Sequence, residues 1–226
     1  MSRTRFCDPL AVLLAMACCA TARAAPPTTG PATRPIRVAC VGDSITFGMS
    51  IKDPAHDGYP AQLQRLLGDG YAVANFGYNG ATLLSHGDKP YVKQKPYAAA
   101  LADRADVVVI VLGTNDSKPQ NWAHASEFAA DYAALIRAFR DANPAVQVYV
   151  GEPPPAFPGK WGINETVIAR EVCPDVKRVA ASNGATVIDL QAPLLDDAAD
   201  FRDTVHPNAA VAGKLAKAVF EAIKPR

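Results

Sequence analysis

The run DVVVIVL, Asp106 to Leu112, constrains the fold more than any other stretch of this 226-residue chain. A strand with one wet face alternates apolar and polar residues. A run this uniform and this rich in β-branched residues suits a central strand of a parallel sheet, covered on both faces. Parallel neighbours cannot be joined by a tight hairpin; each needs a crossover, usually a helix. The chain supplies both parts. IRVACV (36–41), YAVAN (71–75), QVYVG (147–151) and ATVIDL (185–190) read as four more strands. YPAQLQRLL (59–67) reads as a helix, with Pro60 near its start where a missing N–H costs little. A second helix spans 126–142, with Phe128, Tyr132, Leu135 and Phe139 at three- or four-residue spacing and Asn143-Pro144 closing it. Two more are expected over 165–182 and from Asn208 to about Ile223. The expected architecture is α/β: a three-layer α/β/α sandwich around a five-stranded parallel sheet flanked by helices. With 49% hydrophobic and 20% charged residues, the composition suits one domain of this kind.

The N-terminus reads differently. Arg3 and Arg5 precede an apolar run from Leu10 to Ala20, and Ala22-Arg23-Ala24 forms a small-x-small cleavage pattern. Residues 1–24 are therefore expected to be a secretory signal, the apolar run itself being too short to span a bilayer as a mature helix. Residues 25–35, including PPTTGPATRP, read as an extended proline-rich linker, and 36–226 as the folded domain. A lipoprotein reading from Ala17-Cys18 is weaker, because Ala15 stands where a leucine is expected. A secreted or periplasmic location is expected, with no stable membrane insertion. Cleavage after Ala24 removes Arg3, Arg5, Arg23 and Asp8 and turns a formal charge of +1 into −1, which gives no basis for a nucleic-acid partner. It leaves Cys40 and Cys173, too few for a disulfide framework.

In open parallel sheets, sites form beyond the carboxyl ends of the strands. The unusual clusters fall there: GDSIT after the first strand, GYNGAT after the second, GTND after the third, EPPPAFPGKWG after the fourth and DTVHPN after the fifth. Ser44 in GDSIT is a candidate nucleophile, though an isolated serine after a strand is more often a cap or a turn. Of the four histidines, His56, His86, His124 and His206, only His206 follows an aspartate by three residues in a loop that enters a helix. That spacing lets Asp203 hold the imidazole and support an imidazolium, with Asp196, Asp197 and Asp200 as rivals. Asn115 offers a side-chain amide to an oxyanion, and Gly77 or Gly80 and the Ser44 amide offer backbone donors. The α/β-hydrolase alternative requires G-x-S-x-G, and Thr46 stands where its second glycine belongs.

GDSIT, NFGYNGAT, LGTND and DTVHPN, in this order, resemble the blocks of the SGNH or GDSL hydrolase family, across about Ile36 to Ile223. The resemblance implies a flavodoxin-like SGNH hydrolase fold. It implies Ser44 as nucleophile, His206 as base, Asp203 as acid, and Ser44, Gly80 and Asn115 as the oxyanion hole. Gly80 is preferred to Gly77 because the family's second block uses the glycine before the small-Thr pair, here Ala81-Thr82. YPAQLQRLL, NFGYNGATLL and GTNDSKPQNW are similar to bacterial members grouped with carbohydrate acetylesterases, including sialate O-acetylesterase-like proteins. The implied activity is removal of acetyl groups from a small-molecule or polysaccharide ester. Alternatives are a lysophospholipase or thioesterase of the same family, or a glycan-binding module without activity. Trp122, Trp161 and Tyr78 beside the rim loops are candidates for stacking on sugar rings. His56-Asp57 and His86-Gly-Asp88 match no metal spacing such as H-E-x-x-H, so neither a catalytic metal nor a cofactor is expected. Oligomeric state is not legible.

Overall fold

Alternating apolar strands and amphipathic helices form a parallel sheet covered on both sides. The computed structural model describes residues 34–158 and 160–224, together with Met1. The expected signal segment beyond Met1, and the expected linker up to residue 33, lie outside the described residues. The strands are β1 Ile36–Gly42, β2 Tyr71–Gly77, β3 Val107–Val111, β4 Gln147–Gly151 and β5 Thr186–Ile188. All pair in parallel, in the order β2-β1-β3-β4-β5. The main helices are α1 Ser44–Phe47, α2 Tyr59–Leu67, α3 Lys95–Asp103, α4 Phe128–Ala142, α5 Cys173–Ser182 and α6 Ala209–Ile223.

The two-residue period of the strands sorts side chains into two cores. Ala39, Val41, Val108 and Ile110 face one way and pack with Leu135 and Ile136 of α4 and Val176 and Val179 of α5. Val38, Cys40, Val107, Val109 and Val111 face the other way, against Leu63 of α2 and Val211, Leu215 and Val219 of α6. Every residue of β3 is buried, which is why its sequence shows no alternation. Each such aliphatic side chain contributes roughly 1.5–3 kcal/mol by leaving water. The chain winds from β1 out to β2, then returns past β1 to β3 and on to β5. Between β1 and β3 the winding reverses, and the crevice beyond their carboxyl ends is where a doubly wound sheet has room for a site.

The clearest departures from the sequence reading are three. Helix α3 was not expected: KPYAAALAD has only one fully buried residue, Ala100, so its apolar stripe is too narrow to stand out. Strand β5 spans three residues where six were expected. It stops because the Asp189 carboxylate accepts the N–H groups of Gln191 and Ala192 and turns the chain. The helix expected over 165–182 contains a π-helical turn, Ile168–Val172, just before α5. Pro174 has no N–H for the Arg170 carbonyl and its ring crowds that turn, so the backbone widens there.

Candidate active site

Ser44 is placed by the two residues before it. A Cβ on Gly42 would lie 2.1 Å from Thr46 Oγ1 and 2.6 Å from the Val111 carbonyl oxygen, so only glycine lets α1 fold straight back on the end of β1. Asp43 then caps α1: its Oδ1 accepts the Ile45 N–H at 2.9 Å. Burial lifts the Asp43 carboxyl to about 6, with the Ile45 amide and the nearby His206 pulling it down. Asp43 is thus a cap, although it adjoins Ser44 in sequence. Ser44 opens the helix, where an amide has no carbonyl one turn back and remains free to donate.

His206 arrives from the other end of the chain. Helix α6 is capped by Asn208, whose Oδ1 accepts the N–H groups of Ala210 and Val211 at 2.9 and 3.0 Å. The loop before it is held by an antiparallel bridge between Phe201 and Pro207. Thr204 sits at φ 69°, rare for a β-branched residue, and lets the Asp203–His206 turn close tightly. Asp203 Oδ1 accepts the Val205 and His206 backbone amides at 3.2 and 2.8 Å, while Oδ2 lies 2.7 Å from His206 Nδ1. His206 Nε2 lies 2.8 Å from Ser44 Oγ. Partial burial pushes the Asp203 carboxyl up, but the hydrogen bonds and charge of His206 outweigh it and hold the group below the usual carboxylate range. Of the rival aspartates, Asp197 pairs with Lys214 and Asp200 accepts from Asn208.

The expected oxyanion donors Gly80 and Asn115 lie on the loops after β2 and β3. Gly80 adopts φ +80°, a left-handed conformation suited to glycine. Gly77 has a packing role instead: a Cβ there would lie 2.2 Å from the Phe47 backbone nitrogen. Asn115 Nδ2 donates to the Ala81 carbonyl at 3.1 Å, and Asn121 holds the Asn115 carbonyl at 2.8 Å. Buried Asp116 accepts the Leu83 and Leu84 amides at 3.0 and 2.8 Å, tying the two loops together; burial raises its carboxyl to about 7.

Ser44, Gly80, Asn115 and His206 line one cavity of about 240 Å³, with Asp203 behind the histidine. Met49, Trp161, Ile163 and Val205 form its apolar wall, and Lys89 and Lys118 also border it. A wider groove of about 650 Å³ lies at the amino ends of the strands, lined by Ile36, Tyr71, Asp106 and Gln147 among others, and among the described residues no serine or histidine lines it. Among the described residues, the cavity with the Ser44–His206 contact brings together a hydroxyl, an imidazole, a carboxylate behind it and an amide side chain, a set of groups suited to acyl chemistry.

The aromatic residues divide. Trp161 borders the cavity, and its Nε1 donates to Asp203 Oδ2 at 3.1 Å. Nothing in the sequence signals that contact, because it depends on how the 152–162 loop packs; the Phe157 N–H donates to the Thr204 carbonyl at 2.7 Å. Trp122 packs edge-on to Phe128 and donates to Glu171, away from the cavity, and Tyr78 lies under Lys89. Cys40 and Cys173 are free and buried, with thiols pushed by desolvation to about 12 and about 11, so neither is a ready nucleophile.

Comparison with known proteins points the same way. The family described as GDSL-like lipase/acylhydrolase matches residues 40–212. An acetylxylan esterase from Xylanibacter ruminicola is 44% identical over 207 residues, covering 84% of this chain and 43% of that protein; the chain thus spans less than half the length of that curated relative. Among solved structures, a carbohydrate acetylesterase from Sinorhizobium meliloti is similar with a TM-score of 0.66 and 24% identity, covering 83% of this chain and 97% of that one. An inhibitor-bound aryl esterase from M. smegmatis gives a TM-score of 0.67 at 20% identity, covering 83% and 98%. At such identities the structural likeness concerns the fold.

Proposed function

This chain belongs to the GDSL-like lipase/acylhydrolase family, and on that premise we propose that it is a secreted serine esterase that removes short acyl groups, acetyl foremost, from carbohydrates. The observation that carries the reading is the continuous contact from Ser44 Oγ through His206 to Asp203, at 2.8 and 2.7 Å. Ser44 Oγ attacks the ester carbonyl as His206 Nε2 takes its proton, and Asp203 stabilises the imidazolium. The Ser44 and Gly80 amides and Asn115 Nδ2 hold the oxyanion. As the intermediate collapses, the sugar oxygen leaves with the proton from Nε2 and the acyl group stays on Ser44. His206 then deprotonates a water that attacks the acyl-enzyme, and the acid departs.

Acetyl specificity is supported by the name of the Xylanibacter relative and by the size of the cavity. The exposed Trp161 ring offers an apolar face to a sugar. A secreted or periplasmic location rests on the N-terminal pattern; among the described residues no helix is long and apolar enough to cross a membrane.

The test is acetate release from acetylated xylan by the wild-type chain and by Ser44→Ala. The variant is expected to keep its circular dichroism and to lose at least about 10⁴-fold in kcat. Undiminished release by the variant overturns the nucleophile. An intact, inert wild-type chain that binds xylan would instead support a glycan-binding module. Preference for acyl chains of about eight carbons or more would support a lysophospholipase or thioesterase.

A further inference from the structure

Two histidines and a glutamate gather outside the catalytic cavity, on the loop that follows Gly80 and on the segment leading into α4. His86 Nδ1 lies 2.6 Å from Glu127 Oε2, and His124 Nδ1 lies 3.7 Å from Glu127 Oε1, so each carboxylate oxygen faces one imidazole. The two rings are 5.7 Å apart between centroids, and one ligand atom from each residue falls within 4.8 Å of the others. None of the three borders the cavity that holds Ser44. We propose that His86, His124 and Glu127 form a zinc site that fastens the loop around residues 82–90 to the start of α4.

The chemistry of the donors selects the ion. Two imidazole nitrogens and one carboxylate oxygen suit a borderline-soft transition ion such as Zn²⁺, whereas Ca²⁺ and Mg²⁺ take oxygen ligands. Ligands about 2.0–2.2 Å from a tetrahedral zinc sit roughly 3–4 Å from one another. The His124–Glu127 separation is already in that range, and the His86–Glu127 pair needs only a small opening. Side-chain rotation can supply it, because the His86, His124 and Glu127 side chains are 65%, 42% and 38% exposed. A water completes the fourth position.

The backbone beneath the ligands is fixed, so little ordering remains to be done on binding. The Ser85 N–H, just before His86, donates to Asp131 at 2.7 Å, and the Asp88 N–H, just after it, donates to Asn121 at 2.8 Å. The His124 N–H donates to the Asn121 carbonyl at 3.0 Å, and the Glu127 N–H to the His124 carbonyl at 2.9 Å. His124 and Glu127 are thus held in one turn, and Asn121 ties that turn to the His86 loop. The same loop carries Lys89 to the edge of the catalytic cavity. A metal here crosslinks two segments joined otherwise by hydrogen bonds, and its binding energy adds to the stability of the folded chain. It takes no part in ester hydrolysis.

The experiment titrates zinc chloride into the metal-stripped full chain, prepared without an affinity tag, by calorimetry, and follows thermal unfolding with and without zinc. One zinc per chain is expected, with a raised midpoint of unfolding. His86→Ala and His124→Ala should each weaken binding by more than about tenfold and abolish the rise, since even an outer partner of a metal ligand costs that much. His56→Ala, which removes an exposed histidine outside the cluster, should bind as the wild type does. Magnesium chloride should leave the midpoint unchanged. Absence of saturable binding, retention of binding in both His86→Ala and His124→Ala, or equal loss in His56→Ala overturns the proposal. If circular dichroism shows that His124→Ala does not fold, His86→Ala alone decides.

Discussion

Asn115 lines the cavity and donates from Nδ2 to the Ala81 carbonyl. In the proposed mechanism its value to an oxyanion lies in being held before charge develops. Asn115→Ala is therefore expected to lower kcat by about 10²–10³-fold with little change in KM, measured with a chromogenic acetate ester. Asp203 makes a different kind of prediction. Its folded carboxyl sits below its usual value. Its contribution to stability is therefore present above the unfolded value, about 3.9, and is lost as the pH falls through the lowered folded one. Asp203→Asn should flatten that acidic part of a stability-versus-pH curve and reduce kcat by up to about 10⁴-fold, because it disturbs the tautomer that His206 needs. At this scale the sequence is informative where chemistry needs residues a few positions apart. Asp203 and His206 lie within one turn, and their spacing is visible; Trp161 reaches Asp203 across 42 residues and is not.

Helix α6 carries the histidine loop, so its start matters as much as its apolar face. Asn208 satisfies two of its free amides, and Asn208→Ala should cost about 1 kcal/mol. That appears as a fall of about 2–4 °C in the thermal midpoint for a chain of this size. Asp116 does the same work for the loop between Ala81 and Leu84. Because its folded carboxyl is raised to about 7, the folded state holds a proton that the unfolded state releases near pH 4. The sign is therefore opposite to that of Asp203: stability from this group is full below about pH 4 and declines as the pH rises towards about 7. Asp116→Asn should remove that slope in denaturant titrations between about pH 4 and 7, and should lose about 1–3 kcal/mol near pH 5 because one loop amide loses its acceptor. Elements with a broad apolar stripe, α4 and α6, were legible from spacing to within a residue or two. Helix α3, with a single fully buried alanine, was not, and the π-helical turn before α5 depends on the position of Pro174 against a carbonyl that only the folded backbone supplies.

For the molecule as a whole, a parallel sheet covered on both faces is legible in the sequence, since burial on both faces demands a run such as Val107–Val111 with no alternation, whereas the strand order β2-β1-β3-β4-β5 is not. The volume of the cavity does not follow from any pattern, because it is what remains after the loops beyond all five strands have packed. At about 240 Å³ it falls below the range of about 300–1,000 Å³ common for drug-sized ligands. Hydrolysis of p-nitrophenyl esters should accordingly be fastest for acetate and fall steeply towards octanoate, read as kcat/KM; a rising series would contradict a short acyl pocket. The contact between Ser44 and His206 spans 162 residues and joins the first strand's loop to the last helix's. Such a contact is among the last to form as a chain folds, because the intervening loop must first be closed. A chain emerging from the ribosome thus exposes its serine long before it owns a base, and catalytic competence is expected to arrive in a single late step. Recovery of esterase turnover after dilution from denaturant would then time completion of the fold, where helical signal reports only its beginnings.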